Sequence, residues 1–179
     1  MTGEGALVER ARAYDEKALG ELYDRYAPKM YAYIYRRVGH AATAEDLTGE
    51  LFLRVVRSLR NDQAWRDSFS AWLYRVAHNL VVDHYRSLPE LPDEPVETSI
   101  EGDGGDPAAA VEGRLARERL RAATDRLTPE QQEVLALRFG EGLTAAETAQ
   151  ILNKSTGAVE ALQHRALASL RRILGGEGL

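Results

Sequence analysis

Cysteine is absent from all 179 residues. That removes disulfides, thiolate metal sites and a cysteine nucleophile, and it fits a reducing compartment. No apolar run approaches the roughly 18 residues that a membrane span needs. The opening MTGEGALVERARAYDE lacks the apolar core of a secretory signal. A cytoplasmic protein with no direct membrane insertion is expected. No Ser-His-Asp order and no glycine-rich phosphate loop is present, and EGDGGD lacks the spacing of a calcium loop. His78 and His84 lie six apart, about 240° around a helix, so they share no face. His40 and His164 are isolated. The expectation is therefore no catalytic residue, no metal and no cofactor.

What is present is unevenly distributed. Net charge is −5, from 28 acidic and 23 basic residues. Residues 89–113, PELPDEPVETSIEGDGGDPAAAVEG, hold eight of the acids with no Lys or Arg, so the rest of the chain is mildly basic. The same stretch holds four prolines and four glycines and has no periodic apolar pattern. It reads as a flexible acidic linker. It separates a domain at 1–88 from one at 114–179.

Both domains read as all-α, because apolar residues recur at spacings of three and four and strand-like alternation is absent. In the first domain a helix is expected over Ala18–Val38. A second is expected over about Ala44–Leu59, with Thr43 as N-cap and Asp46 three residues on. A polar loop follows at about 60–68, then a third helix over about Ser70–Arg86. In the second domain Thr128-Pro129-Glu130-Gln131 combines an N-cap, a first-turn proline and a reciprocal capping residue. The helix Glu130–Phe139 should stop at Gly140 and Gly142. Thr144 with Glu147 opens the next helix as a second capping box.

The segment from Thr144 to Arg165, TAAETAQILNKSTGAVEALQHR, has the pattern of a helix-turn-helix. Ala149 supplies the small side chain where two helices touch. Asn153 falls at the turn, where a left-handed residue is wanted and Asn is tolerated. Ile151, Leu152, Val159 and Leu162 supply apolar contacts. Such a unit places its second helix in a DNA major groove; the alternative is a hairpin that only packs. The residues available to the groove are Lys154, Ser155, Thr156, Ala158, Glu160, Ala161, Gln163, His164 and Arg165. Gln reads adenine and Glu accepts from cytosine, whereas Lys154 and Arg165 suit phosphates.

In the third helix of the first domain, Leu73, Val76, Ala77 and Leu80 form an apolar seam. Arg75, Asn79, Asp83 and Arg86 form a polar stripe. With Phe69, Trp72, Tyr74 and Tyr85 nearby, the pattern suits single-stranded DNA. An amphipathic core helix with a solvated face accounts for these residues slightly better on their own. Asp46, Glu50, Arg54 and Arg57 in the second helix follow the helix dipole, and Phe52 and Val56 widen its apolar face.

Taken in order, LYDRYAPKMYAYIYRRVG, AEDLTGELFLRVVRSL and FSAWLYRVAHNLVVDHYR, followed by LTPEQQEVLALRFGEGLTAAETAQILNKSTGAVEALQHRALASLRRIL, resemble a sigma-70-family factor of group 4, the extracytoplasmic-function (ECF) sigma factors. The resemblance covers residues 14–88 and 114–174. It implies a region 2 helical bundle and a region 4 helix-turn-helix domain, in a non-enzymatic subunit that brings core RNA polymerase to promoters. Asp46, Glu50, Phe52 and Arg54 would lie on the helix that docks on the largest subunit's coiled coil. Residues 61–69, with Asn61, Asp62, Ser68 and Phe69, would capture a flipped base. Trp72, Arg75, Asn79 and Arg86 would read and melt the −10 element. Lys154 to Arg165 would read the −35 element, and this domain would also meet the flap of the second-largest subunit. An anti-sigma partner is implied. The linker would thread the polymerase cleft, where its charge imitates nucleic acid; a solvated tether is the other reading.

Three positions depart from the family pattern. Gly49 stands where Gln is frequent in the core-binding helix, Asn153 where the turn glycine is frequent, and Glu160 where a basic residue is common. No C-terminal sensory domain is expected after Leu179. The competing readings are a two-domain transcriptional regulator that does not join polymerase and a small helical enzyme, which would lack its chemistry here.

Overall fold

The computed structural model describes residues 3–61, 65, 68–89 and 107–176. The chain forms two compact units that divide between residues 99 and 100. The described residues are helical and turn, with no strand among them.

In the first unit, α1 (Gly3–Arg12) leads through a tight turn into α2 (Glu16–Val38), and α3 (Ala41–Ser58) and α4 (Phe69–Ser87) follow. α2 is the central element, packing on α1, α3 and α4. Its buried residues Ala18, Leu22, Tyr26, Met30, Tyr33 and Ile34 keep the three-and-four spacing of one helix face. Pro28 removes one intrahelical donor from α2, yet the helix runs on, because buried Tyr26 and Met30 hold both sides of it. Gly39, at φ 69°, ends the helix with its N–H on the Tyr35 carbonyl.

Helix α1 was not expected from the sequence. Gly3 and Gly5 lower its propensity, so packing has to form it. Leu7, Val8 and Ala11 are buried, and the Tyr26 hydroxyl donates to the Glu4 carboxylate. Burial, followed by that carboxylate, pushes the Tyr26 hydroxyl far above the ordinary tyrosine range. At the α1–α2 turn Tyr14 takes a left-handed φ of 63°. Asp15 caps α2, accepting from the N–H groups of Lys17 and Ala18 at 3.0 and 3.3 Å. Arg10 Nε donates to the same carboxylate at 2.8 Å and is the main cause that holds Asp15 below the ordinary carboxylate range.

The start of α3 corrects the expected Thr43 cap. The helix begins at Ala41, with His40 in the cap position and no side-chain cap bond. Thr43 is already inside the first turn, so Asp46 does not close a capping box.

In the second unit, α5 (Pro107–Asp125) precedes α6 (Pro129–Leu135), a π-helical turn (Ala136–Gly140), α7 (Ala145–Leu152) and α8 (Thr156–Gly176). Residues 107–113, expected as the end of the linker, are the first part of α5. A proline at the helix start followed by alanines favours this, and the acids and glycines upstream masked it. Residues 90–106 of the expected linker lie outside the described residues.

Both expected capping boxes are formed, at Thr128 with Gln131 and at Thr144 with Glu147. The helix expected to reach Phe139 instead ends as α helix at Leu135 and widens into the π turn, closed by Glu141 N–H on the Ala136 carbonyl at 2.9 Å. Asn153 takes the left-handed conformation, φ 52° and ψ 46°, between α7 and α8. Val134, Ala149, Val159 and Leu162 form one buried cluster, with Ala145 and Leu152 against it. Leu127, Leu135 and Ala166 form another. Ile151 is buried as well.

Candidate nucleic-acid interface

The two units build their candidate sites differently. In the first, Ser68 caps α4, its hydroxyl accepting from Ala71 N–H at 3.2 Å. Phe69, Leu73, Tyr74, Ala77, Leu80 and Val81 are buried; Val76, expected in the seam, is half-buried. Arg75, Asn79, Asp83 and Arg86 are all exposed. Their steps of four, four and three put them in one stripe along the helix.

Behind the start of that stripe lies an aromatic cluster. The Trp65 ring is 4.8 Å from Phe69 and 6.1 Å from Trp72, centroid to centroid. Phe69 meets Tyr26 edge-on at 5.4 Å. Trp65 is buried, and its indole N–H donates to the Ser58 hydroxyl at 2.9 Å, so the polar atom of the ring is satisfied. Phe69 is thus a core residue at the first position of α4. Trp72 is half-buried at the edge of the cluster, where part of a ring faces outward. Asn61 is exposed just past the end of α3, and Asp62 lies outside the described residues.

On α3, Asp46 is exposed, and Glu50 bonds Arg54 at 3.3 Å and Arg57 at 3.9 Å. Surface pairs of this kind contribute about 0–1 kcal/mol, so their role in stability is small. Phe52 packs edge-on against Tyr23 at 4.7 Å. Tyr23, Leu53 and Val56 are each more than half exposed, at 52%, 52% and 55%. This gives α2 and α3 an apolar patch beside the charged one. A Cβ at Gly49 would meet nothing within 4 Å, so packing does not require glycine there.

In the second unit, Ser155 caps α8 by accepting from Ala158 N–H at 3.1 Å. Thr156, Glu160, Ala161, His164 and Arg165 are exposed along one face of α8, and Ala158 is half-buried. Two of the expected groove residues are engaged within the protein. Lys154 Nζ lies 2.9 Å from Glu130 Oε1 of α6. Gln163 Oε1 accepts from Arg138 Nε at 2.8 Å.

Sequence reasoning did not single out Trp65 or Arg138. Trp65 carries a weak signal, as an apolar residue alone in a polar loop between two amphipathic helices. Arg138 carries one too, as a lone charge in the apolar run VLALRFG. Among the described residues no group of three or more His, Cys, Asp or Glu could hold a metal ion. No described helix is long and apolar enough to cross a membrane.

Residues 22–88 match the family model for Sigma-70 region 2, and residues 123–172 match that for Sigma-70, region 4. The ECF RNA polymerase sigma factor BldN of Streptomyces coelicolor is 42% identical over 170 residues, 94% of this chain and 64% of BldN. The chain thus spans just under two thirds of BldN's length. The ECF RNA polymerase sigma factor SigD of Mycobacterium tuberculosis is 33% identical over 180 residues, 96% of this chain and 84% of SigD. CnrH, solved in complex with the cytosolic domain of CnrY, matches with a TM-score of 0.65 and 26% identity over 97% of each chain. RpoE of Bartonella quintana, solved with the anti-sigma factor NepR, shares the fold with a TM-score of 0.66 and 16% identity, over 89% of this chain and 98% of RpoE.

Proposed function

Because the chain belongs to the family of ECF RNA polymerase sigma factors, we propose that it joins core RNA polymerase and directs it to a two-part promoter. The family matches cover both domains, which favours this over a regulator that never joins polymerase. The observation that carries the reading is the exposed stripe Arg75, Asn79, Asp83 and Arg86 lying next to an outward-edged Trp72. Cations track a backbone and amides exchange hydrogen bonds with bases, while the accessible part of an aromatic ring offers a surface on which an unstacked base stacks.

The division of labour follows from the surfaces. The apolar and charged patch on α2 and α3, with Asp46, Glu50, Phe52 and Arg54, docks on the coiled coil of the largest polymerase subunit. α4 and the chain just before it, including Asn61, Asp62 and Ser68, hold the opened −10 strand. The exposed face of α8, with Thr156, Glu160, His164 and Arg165 and the half-buried Ala158 beside them, meets the −35 duplex, and Ser155 presents the helix N-terminus to it. The second unit also meets the polymerase flap. Unpairing costs a few kcal/mol per base, and an extruded base held by the protein offsets part of that. The chain makes no bond; polymerase does the chemistry.

Control comes from an anti-sigma partner that covers the core-binding surfaces of both domains, the docking patch among them. The exposed Tyr23, Leu53 and Val56 support this, since such apolar surface is suited to protein contact.

The test is reconstitution. The purified chain is added to bacterial core polymerase with a promoter library, and specific start sites are sequenced. Initiation from a defined −35 and −10 pair is expected. Absence of core binding would sink the reading, and specific duplex binding by the chain alone would favour the regulator. For the partner, a pull-down from native cells that returned only polymerase subunits would count against it.

A further inference from the structure

Arg138 sits on the π turn between α6 and α7, where Leu137 is fully buried and Phe139 is exposed. Its guanidinium does two things at once. Nη1 donates to the carbonyl of Leu143, and Nε donates to Gln163 Oε1 at 2.8 Å. Leu143 is buried, immediately precedes the cap of α7, and is tied to the π turn by its own N–H on the Leu137 carbonyl at 3.0 Å. One side chain therefore joins the π turn, the entry to the first helix of the helix-turn-helix and the side of the second. The guanidinium fork suits this, because its donors lie in one rigid plane.

We propose that Arg138 is the positioning residue of the recognition helix, and that Gln163 is its anchor and not a base reader. The inference rests on the reading of α8 as the −35 helix. A glutamine that reads adenine uses its amide oxygen and nitrogen together, on N6 and N7. Here the oxygen is taken by Arg138. Thr156 and Glu160, seven and three residues before Gln163, share its side of α8 and stay exposed, so the anchor stands beside the outward face it sets. Without Arg138, α8 keeps only the apolar cluster of Val134, Ala149, Val159 and Leu162 on this side. Packing of Val159, Leu162 and Ala166 sets which face of α8 turns inward, and the directional bond from Arg138 trims that rotation further, since apolar contact is non-directional. Base selection suffers before folding does.

The experiment uses the full chain with core polymerase on two templates. One is a promoter library randomised in the −35 element. The other is a forked template that carries a −10 element and no upstream duplex. Arg138→Ala is expected to lower initiation from the preferred upstream sequence about tenfold, the scale of a lost charge-assisted hydrogen bond, and to flatten the base preference. On the forked template and in core binding it should stay within about twofold of the unsubstituted chain, with the helical circular dichroism kept. Gln163→Glu keeps an acceptor for the guanidinium and should keep the original preference. If Arg138→Ala does not fold, Arg138→Lys, which carries the charge without the fork, takes its place with a smaller effect in the same direction.

A shift in preference at one base position with Gln163→Glu would make Gln163 a reader and overturn the proposal. So would an unaltered preference with Arg138→Ala, or an equal loss on both templates. If the unsubstituted chain shows no upstream preference, the −35 reading of α8 fails, and this inference fails with it; the two failures are told apart by the chain in which they occur.

Discussion

Twelve of the thirteen aromatic residues lie in residues 1–88, and the second unit has one, Phe139. The polar stripe of α4 stands over a cluster of Trp65, Phe69 and Trp72. The outer face of α8 has no ring other than His164 and is backed by aliphatic clusters and the Arg138–Gln163 contact. The difference matches the two states of DNA the units are proposed to meet. An unstacked base offers its face, and a ring covers a face. An intact duplex offers only edges in the groove, which polar side chains read. On that proposal one chain carries a stacking surface and an edge-reading surface, each built on a single amphipathic helix.

The comparison breaks most visibly at Trp65. Trp65→Ala empties the cluster behind α4 and leaves Ser58 without its indole donor, so a loss of about 3–5 kcal/mol is expected in thermal or denaturant unfolding. An unchanged midpoint would mean that the cluster does not hold α4. Trp72→Ala removes the outward ring. Strand opening at the −10 element, read by permanganate reactivity in the polymerase complex, should fall about tenfold, on the scale of about 1–3 kcal/mol per stacked base. Glu160→Ala in α8 should leave that opening step unaltered and alter the preferred −35 sequence; opening lost equally in both variants would erase the distinction between the units.

Smaller effects separate the two left-handed residues. Among the described residues each unit has one outside glycine, Tyr14 in the first and Asn153 in the second. Tyrosine is less tolerant of that region than asparagine. Tyr14→Gly should therefore stabilise by about 1 kcal/mol and Asn153→Gly by only a few tenths. Equal gains would show that the side chains of these residues, and not the backbone, set the balance.

The smallest effect is at Asp15. Its carboxyl is held below 3.8, the ordinary value, chiefly by Arg10. A depressed native value means that the ionised form stabilises the fold at and above the ordinary carboxylate range. That contribution is lost as pH falls through the lowered value. Asp15→Asn should be less stable than the unsubstituted chain at neutral pH, and the gap should close in acid. A gap independent of pH would assign the effect to the cap alone.

Local chemistry was legible in the residues. Thr128 with Gln131 and Thr144 with Glu147 announced their capping boxes, and Asn153 announced the turn, because each of these signals lies within four residues of chain. The apolar seam of α4 was legible for the same reason. Helix α1 was not, since Gly3 and Gly5 argue against a helix and only burial against α2 forms it. The start of α5 was hidden by the acids and glycines before it. Thr43 offered a cap that α3 does not use, because the helix had already begun at Ala41.

The sequence by itself determined the all-helical class, the helix-turn-helix and the family, since these rest on periodicity and on motifs contiguous along the chain. Only the tertiary structure decided which polar residues of the helix-turn-helix are paired with other parts of the protein. Gln163 meets a guanidinium 25 residues away, and Lys154 meets a carboxylate 24 residues away. Phe69 is drawn into a ring cluster with Tyr26 of α2. Pairings at such separations depend on how helices pack, and a one-dimensional pattern specifies the face of a helix but not the partner that face will meet.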